Sequence, residues 1–286
     1  MPDYATPAAF RAAVEARLRK RARRLSVPTF IVRRQAALER LMARLSKVAP
    51  GRWALKGGFA LETRLGERAR VSLDLDADHR VGAEAARADL QRAAHEDIGD
   101  HFAFAMTGSE ELTESGLRLA VRYKLESALA GRTFEPLQVD VTHAVPEPWD
   151  AKPAIRPGIL AELGFEAIEV LLVPVERQIA EKLHAYTRTY KGGGTTRPRD
   201  LVDLLLIKEH ERVNMGALQD AIKQVFVRRA THLVPTRLSS PPRELAVSYR
   251  QEAERVGVNP TLIEAHQLVA DWLDPLFEEI HSPGGS

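Results

Sequence analysis

Residues 53–80 read WALKGGFALETRLGERARVSLDLDADHR. A short apolar run at 53–55 meets a Gly-Gly pair, 59–65 has helical spacing, and 71–77 alternates apolar and polar residues. The order predicts strand, glycine turn, helix, strand. Side chains in a strand alternate between faces, so Asp74 and Asp76 share one face while Leu73 and Leu75 pack on the other. Two carboxylates held so close repel each other, and a bound cation relieves that repulsion.

Moving outward, LQVDVT at 137–142 places Asp140 between Val139 and Val141 in the same alternation. Residues 102–107 and 117–125 also alternate, and 168–173 is an apolar strand candidate. The Gly57-Gly58 turn opens a helix, where backbone N–H groups can approach a phosphate. Three carboxylates from two strands can hold two divalent ions, which activate a hydroxyl and stabilise in-line phosphoryl displacement. Taken singly, each Asp also suits a solvent-facing strand position. The ordered set of glycine turn, paired Asp and later Asp is what argues for a metal site.

The rest of the chain is helical. Spacing predicts helices over 7–24 and 29–47 before the core, and over 174–190, 199–210, 215–227, 242–256 and 261–280 after it. We divide the chain into a basic segment, 1–52, a core, 53–173, and a helical domain, 174–286, that completes the site. Of 41 Lys/Arg and 39 Asp/Glu, 13 and 3 fall in residues 1–52, so that segment carries +10 and the remainder −8. Such asymmetry suits a polyanionic partner. Arg33, Arg40, Arg44 and Lys47 cluster opposite the apolar face of 29–47 and are candidate RNA contacts, with the run Arg17 to Arg24 beside them. For both, a solvated helix face is the alternative.

Lys182 falls in the middle of an apolar stripe formed by Val175, Ile179, Leu183 and Tyr186. A buried ammonium needs an anion, either a triphosphate or a carboxylate; a snorkelling or purely structural pair is the alternative. Asp200 and Asp203 interrupt the otherwise apolar coat of 199–210 and can orient Lys182 or a nucleotide. Asp200 also suits a helix start. Arg197 and Arg199, at the end of the loop KGGGTTRP, can reach phosphate. Cysteine is absent, so thiolate metal sites are excluded. Hard oxygen ligands favour Mg²⁺, with Mn²⁺ as an alternative. No P-loop is present, His143 and His184 are structural candidates, and no segment reads as a signal peptide or membrane span, so a cytoplasmic protein without a membrane partner is expected.

The motif order resembles the AbiEii/AbiGii-type toxin nucleotidyltransferases, which include abortive-infection toxins and the mycobacterial MenT toxins. The likeness runs through Lys56, Gly57, Gly58, Arg70, Ser72, Asp74 and Asp76, then VERQIAEKLHA around Lys182, then RPRDLVDLLLI around Asp200 and Asp203, covering about residues 53–210. It implies an α+β, polymerase-β-like core with a mixed sheet, N-terminal helices and a helical C-terminal region. It implies Asp74, Asp76, Asp140, Lys182 and Asp200 as catalytic residues, the three core aspartates as metal ligands, and Gly57, Gly58, Ser72, Lys182 and Asp203 as nucleotide contacts. The implied activity is Mg²⁺-dependent transfer of a nucleoside monophosphate from an NTP to RNA, with the tRNA 3′ end as acceptor, a block of translation, and a cognate antitoxin as partner. Transfer to a small molecule or protein, and a non-catalytic RNA- or protein-binding relative, are the competing readings. The usual Gly-Ser turn of polymerase-β enzymes is Gly-Gly here, leaving Ser72 or backbone N–H groups to replace the missing hydroxyl.

Overall fold

A computed structural model describes residues 4–114, 117–142, 150–188 and 197–282. His143, most of the loop KGGGTTRP and the tail 283–286 lie outside the described residues. The chain divides into two compact units, one of 1–64 and 71–173, the other of 65–70 and 174–286.

The first unit begins with α1 (Pro7–Arg24) and α2 (Thr29–Val48). Thr6 caps α1 by accepting the Ala9 N–H at 3.1 Å, with Pro7 in the first turn. The core elements follow as β1 (Trp53–Lys56), α3 (Gly57–Leu65), β2 (Leu75–His79), α4 (Ala83–His95), β3 (Phe102–Glu114), β4 (Leu117–Leu129), β5 (Arg132–Thr142), β6 (Lys152–Arg156) and β7 (Ile168–Leu172). Among the described residues they form one mixed sheet in the order β3-β4-β5-β2-β1-β7-β6. The β2–β5 and β1–β7 pairs are parallel; the others are antiparallel.

One sheet face is apolar: Leu55, Leu75, Ala77, Val121, Leu125, Leu137, Val139 and Val141 are buried with residues of α1, α2 and α4. At roughly 25 cal/mol per Å² of apolar surface, this burial is the main force holding helices to sheet. Polar pairs fix the register of what is packed. Arg156 of β6 reaches Glu39 of α2 (3.0 Å) and Glu62 of α3 (3.1 Å), and its guanidinium lies 4.0 Å from the Phe59 ring centroid. Glu62 also accepts from Gln35 at 2.7 Å, which ties α3 to α2.

Four elements differ from the sequence expectation for identifiable reasons. The strand expected over 71–77 begins only at Leu75, because side chains take the backbone groups before it: Glu62 accepts the Ser72 N–H, and the Ser72 hydroxyl donates to the Asp74 carbonyl at 3.1 Å. Strands β3 and β4 run well past the expected 102–107 and 117–125, since register shifts at Met106/Gly108 and Leu112/Thr113 interrupt the alternation. The helix α4 buries mostly alanines (Ala83, Ala86, Ala93), a stripe too weakly apolar to read as periodic.

The second unit holds α5 (Val175–Thr187), α6 (Pro198–His210), α7 (Met215–Arg229), α8 (Ala246–Arg255) and α9 (Leu262–His281). Helix α6 is buried at Pro198 and from Asp200 to Ile207, and it packs on α5, α8 and α9, as its nearly continuous apolar coat requires. A capping box between Thr261 and Glu264 starts α9. Among the described residues, no helix is long and apolar enough to cross a membrane.

Candidate active site

The second sheet face carries the acidic groups. Asp76 of β2 lies in register with Asp140 of the parallel neighbour β5, and with Lys56 of β1 on its other side. Partners in register project to the same face. Asp76 and Asp140 are therefore adjacent on one surface. Asp74 sits in the bend just before β2. Its carboxyl is pushed above the ordinary range by burial first and then by the negative charge of Asp140, partly offset by Arg122 and Arg34. Local crowding of negative charge is thus a property of the folded site.

Gly57 opens α3 directly after β1 with φ of +61°, a backbone region that favours glycine. A Cβ at this position would fall on a carboxylate oxygen of Asp76. The glycine turn and the acidic strand are consequently one structure: the carboxylate fills the space that a side chain would take.

Further along the same face lies a buried ion pair that the sequence does not announce. Lys56 Nζ stands 3.3 Å from Asp78 Oδ1 and donates to the Thr142 hydroxyl. Asp78 continues the alternation of Asp74 and Asp76, so a signal for it exists in the sequence. What hides the pair is that Lys56 comes from a different strand. Arg34 is hidden for the same reason; it belongs to α2, and only its effect on Asp74 shows that it lies near.

These residues fit a divalent cation. The donors are hard oxygens, and Asp74 is crowded by the negative charge of Asp140 next to Asp76. Asp74 and Asp76 would hold such an ion, with Asp140 beside them. Asp140, the third expected ligand, already has a cationic partner. Among the described residues no three acidic or imidazole groups are placed to hold a metal, and Asp140 is engaged bidentately by Arg122 at 2.8 and 2.6 Å.

In the second unit, Lys182 is buried and donates to Asp203 and, at 3.4 Å, to Asp200. Asp203 has no exposed surface and also accepts from Arg70 at 3.1–3.2 Å. Burial alone would raise the Asp203 carboxyl; Lys182 and Arg70 outweigh it and hold the group below the ordinary range. Asp203, expected at the nucleotide, accepts from Lys182 and Arg70 through its two oxygens. Arg197 and Arg199, expected at phosphate, pair with Asp200 (2.8 Å) and Glu252 (2.9 Å). His184 packs edge-on against Phe226 and donates to or accepts from the Thr231 hydroxyl at 2.9 Å, a structural role.

Two further expectations change. Ser72 is buried with its hydroxyl on the Asp74 carbonyl, so it shapes the loop bearing Asp74 rather than offering a phosphate ligand. The arginines of the basic stripe of α2 do not face solvent as expected. Arg44 is fully buried and forks onto Asp100 at 2.6 and 2.9 Å, with Arg40 joining at 2.7 Å. Arg33 pairs with Glu135 at 3.0 Å and lies 4.4 Å from the Phe134 ring centroid. Lys47 alone of the four is well exposed, paired with Glu96 at 2.5 Å. The reason is that α2 is enclosed, packing on α1, α4 and the sheet, which a helical wheel of one segment cannot show.

In the comparisons with known proteins, no curated protein matches the sequence. Among solved structures, the nucleotidyltransferase toxin MenT4 from Mycobacterium tuberculosis is similar in fold, with a TM-score of 0.58 at 16% identity over 89% of this chain and 94% of that one. A family model described as nucleotidyl transferase AbiEii toxin, type IV toxin–antitoxin system, matches residues 40–274. With that match spanning most of its length, and a glycine turn seated against paired aspartates on a mixed sheet, the chain belongs to the AbiEii nucleotidyltransferase toxins.

Proposed function

We propose that this enzyme transfers a nucleoside monophosphate from an NTP to an RNA hydroxyl, with the tRNA 3′ end as acceptor and Mg²⁺ as the ion. The observation that carries the reading is the register of Asp76 with Asp140 on a polar sheet face, with Asp74 beside them and Gly57 making room for the Asp76 carboxylate. In the reaction the acceptor oxygen forms a bond to the α-phosphorus while the bond from that phosphorus to the bridging oxygen breaks. Pyrophosphate leaves, and the hydroxyl proton is lost to solvent. A bound divalent ion supplies charge neutralisation at the phosphates and lowers the pKa of the attacking hydroxyl. Asp74 and Asp76 would hold and orient that ion. The start of α3 at Gly57 and Gly58 presents backbone N–H groups to phosphate.

In the second unit Lys182 and Asp200 keep the catalytic roles that the family motifs suggest. RNA contacts move from α2 to α1, where Arg17, Arg19, Lys20, Arg23 and Arg24 are exposed. Arrest of translation follows if the modified RNA end cannot be aminoacylated, and a cognate antitoxin would restrain the enzyme in the cell.

The test is incubation of the protein with Mg²⁺, each labelled NTP in turn, and total tRNA. Label should appear on RNA. Asp76→Asn should lower the transfer rate at least about a hundredfold, as loss of a charge-stabilising group does, while leaving the melting temperature near that of the parent. Label on protein or small molecules instead would replace RNA as the acceptor. Full activity in Asp76→Asn would remove the metal assignment.

A further inference from the structure

We propose that Arg122 is a displaceable clamp that occupies the third carboxylate of the metal site, so that binding an ion at Asp140 requires the guanidinium to leave. This rests on the reading of Asp74 and Asp76 as metal ligands.

The geometry is specific. Arg122 on β4 and Asp140 on β5 are cross-strand partners, and the fork uses both carboxylate oxygens: Nε to Oδ1 at 2.8 Å and Nη2 to Oδ2 at 2.6 Å. On its opposite flank Asp140 is in register with Asp76. One carboxylate thus stands between a cation already present and the place where a second cation would bind. Such a bidentate pair is among the stronger charge-assisted contacts. A divalent ion next to the guanidinium would set like charges side by side, so the two compete.

The guanidinium also has somewhere to go. Its side chain is 28% exposed, against 13% for Asp140. Its other cross-strand partner, on β3, is Glu110. Glu110 is exposed and currently engages Lys124. Arg122 therefore lies between two carboxylates, one in the site and one at its rim. Moving from Asp140 to Glu110 would keep it paired while freeing the ligand.

A permanent structural anchor makes the opposite forecast. If Arg122 merely positioned Asp140 for metal, its removal would loosen the ligand and weaken binding. If it competes, removal strengthens binding.

The experiment is Mn²⁺ titration of the full chain without nucleotide, followed by isothermal calorimetry and by the electron paramagnetic resonance signal of free Mn²⁺. Parent, Arg122→Gln, Arg122→Lys and Asp76→Asn are compared. Arg122→Gln should bind Mn²⁺ about tenfold more tightly, the order expected for removing one adjacent like charge in a partly exposed site. Arg122→Lys keeps the charge and loses the fork, so it should fall between parent and Arg122→Gln; it also serves if the glutamine variant does not fold. Equal or weaker binding in the folded variants, with the parent binding in an Asp76-dependent way, overturns the clamp and leaves the metal reading intact. If neither parent nor variant binds Mn²⁺ in a way that Asp76→Asn abolishes, the metal reading itself fails and the clamp with it.

Discussion

Gly57 shows how much a single position can decide. It combines a positive φ with direct approach of the Asp76 carboxylate, so two separate penalties meet in one substitution. A methyl group there must displace the carboxylate or distort the turn. Gly57→Ala should therefore lower transfer by a factor comparable to Asp76→Asn, and lower stability by about 1 kcal/mol or more from the backbone alone. Rates measured alongside chemical denaturation test both parts. Gly51, also at positive φ but with open space around it, should lose stability on substitution by alanine and keep its rate. The importance of the Gly-Gly pair is legible in the sequence. That the pair's first member faces the second aspartate of the acidic strand is not, because that contact depends on how β1 and β2 are paired.

At the scale of elements, α2 is the instructive case. Its apolar residues are legible in the sequence, and so is the clustering of its arginines, but the expected solvent-facing stripe is instead an internal ion-pair system. Asp100 is pulled in opposite directions: burial raises its carboxyl, and the Arg44 and Arg40 hydrogen bonds bring it below the ordinary range. Arg44 also donates to the carbonyls of Glu96 and Phe102, which ties α2 to the approach of β3. Arg44→Met leaves Asp100 buried with a partner removed, and should cost about 3–5 kcal/mol. Urea denaturation would measure it. An unchanged midpoint would mean that the pair contributes nothing net. A stripe of arginines on a helix looks the same in sequence whether water or carboxylates face it. The deciding carboxylate, Asp100, is 56 residues from Arg44.

For the molecule as a whole, the charge asymmetry is legible along the chain, and its placement in space is not. Once Arg33, Arg40 and Arg44 are accounted for by internal partners, the exposed positive charge of the N-terminal region lies mostly on α1, with Lys47 and Arg52 beyond it. There Leu18 and Ala22 face inward while Arg17, Arg19, Lys20, Arg23 and Arg24 lie outward. The double variant Lys20→Glu/Arg23→Glu should weaken RNA binding and reduce the salt dependence of log K by about 1–2, as expected for losing two phosphate contacts. Its stability should match the parent, since both side chains are exposed. Binding measured across a salt series would show this; an unchanged slope would place the RNA elsewhere.

The sequence by itself determined the elements that local periodicity encodes. The alternation around Asp74, Asp76 and Asp140, the turn at Gly57 and the helices on either side of the core are all set by neighbours within a few residues. It also determined that Asp76 and Asp140 each point away from the buried apolar residues on either side of them, because a strand's period of two carries that information. Tertiary structure decided which strands stand side by side, and with that every cross-strand relation at the site: Asp76 beside Asp140, Asp140 held by Arg122, Lys56 paired with Asp78. It likewise decided the fate of each charged side chain on α2. The physical reason is the same in both cases. Electrostatic and packing energies depend on distance in space, and residues far apart in sequence become neighbours only when the sheet closes and the helices cover it.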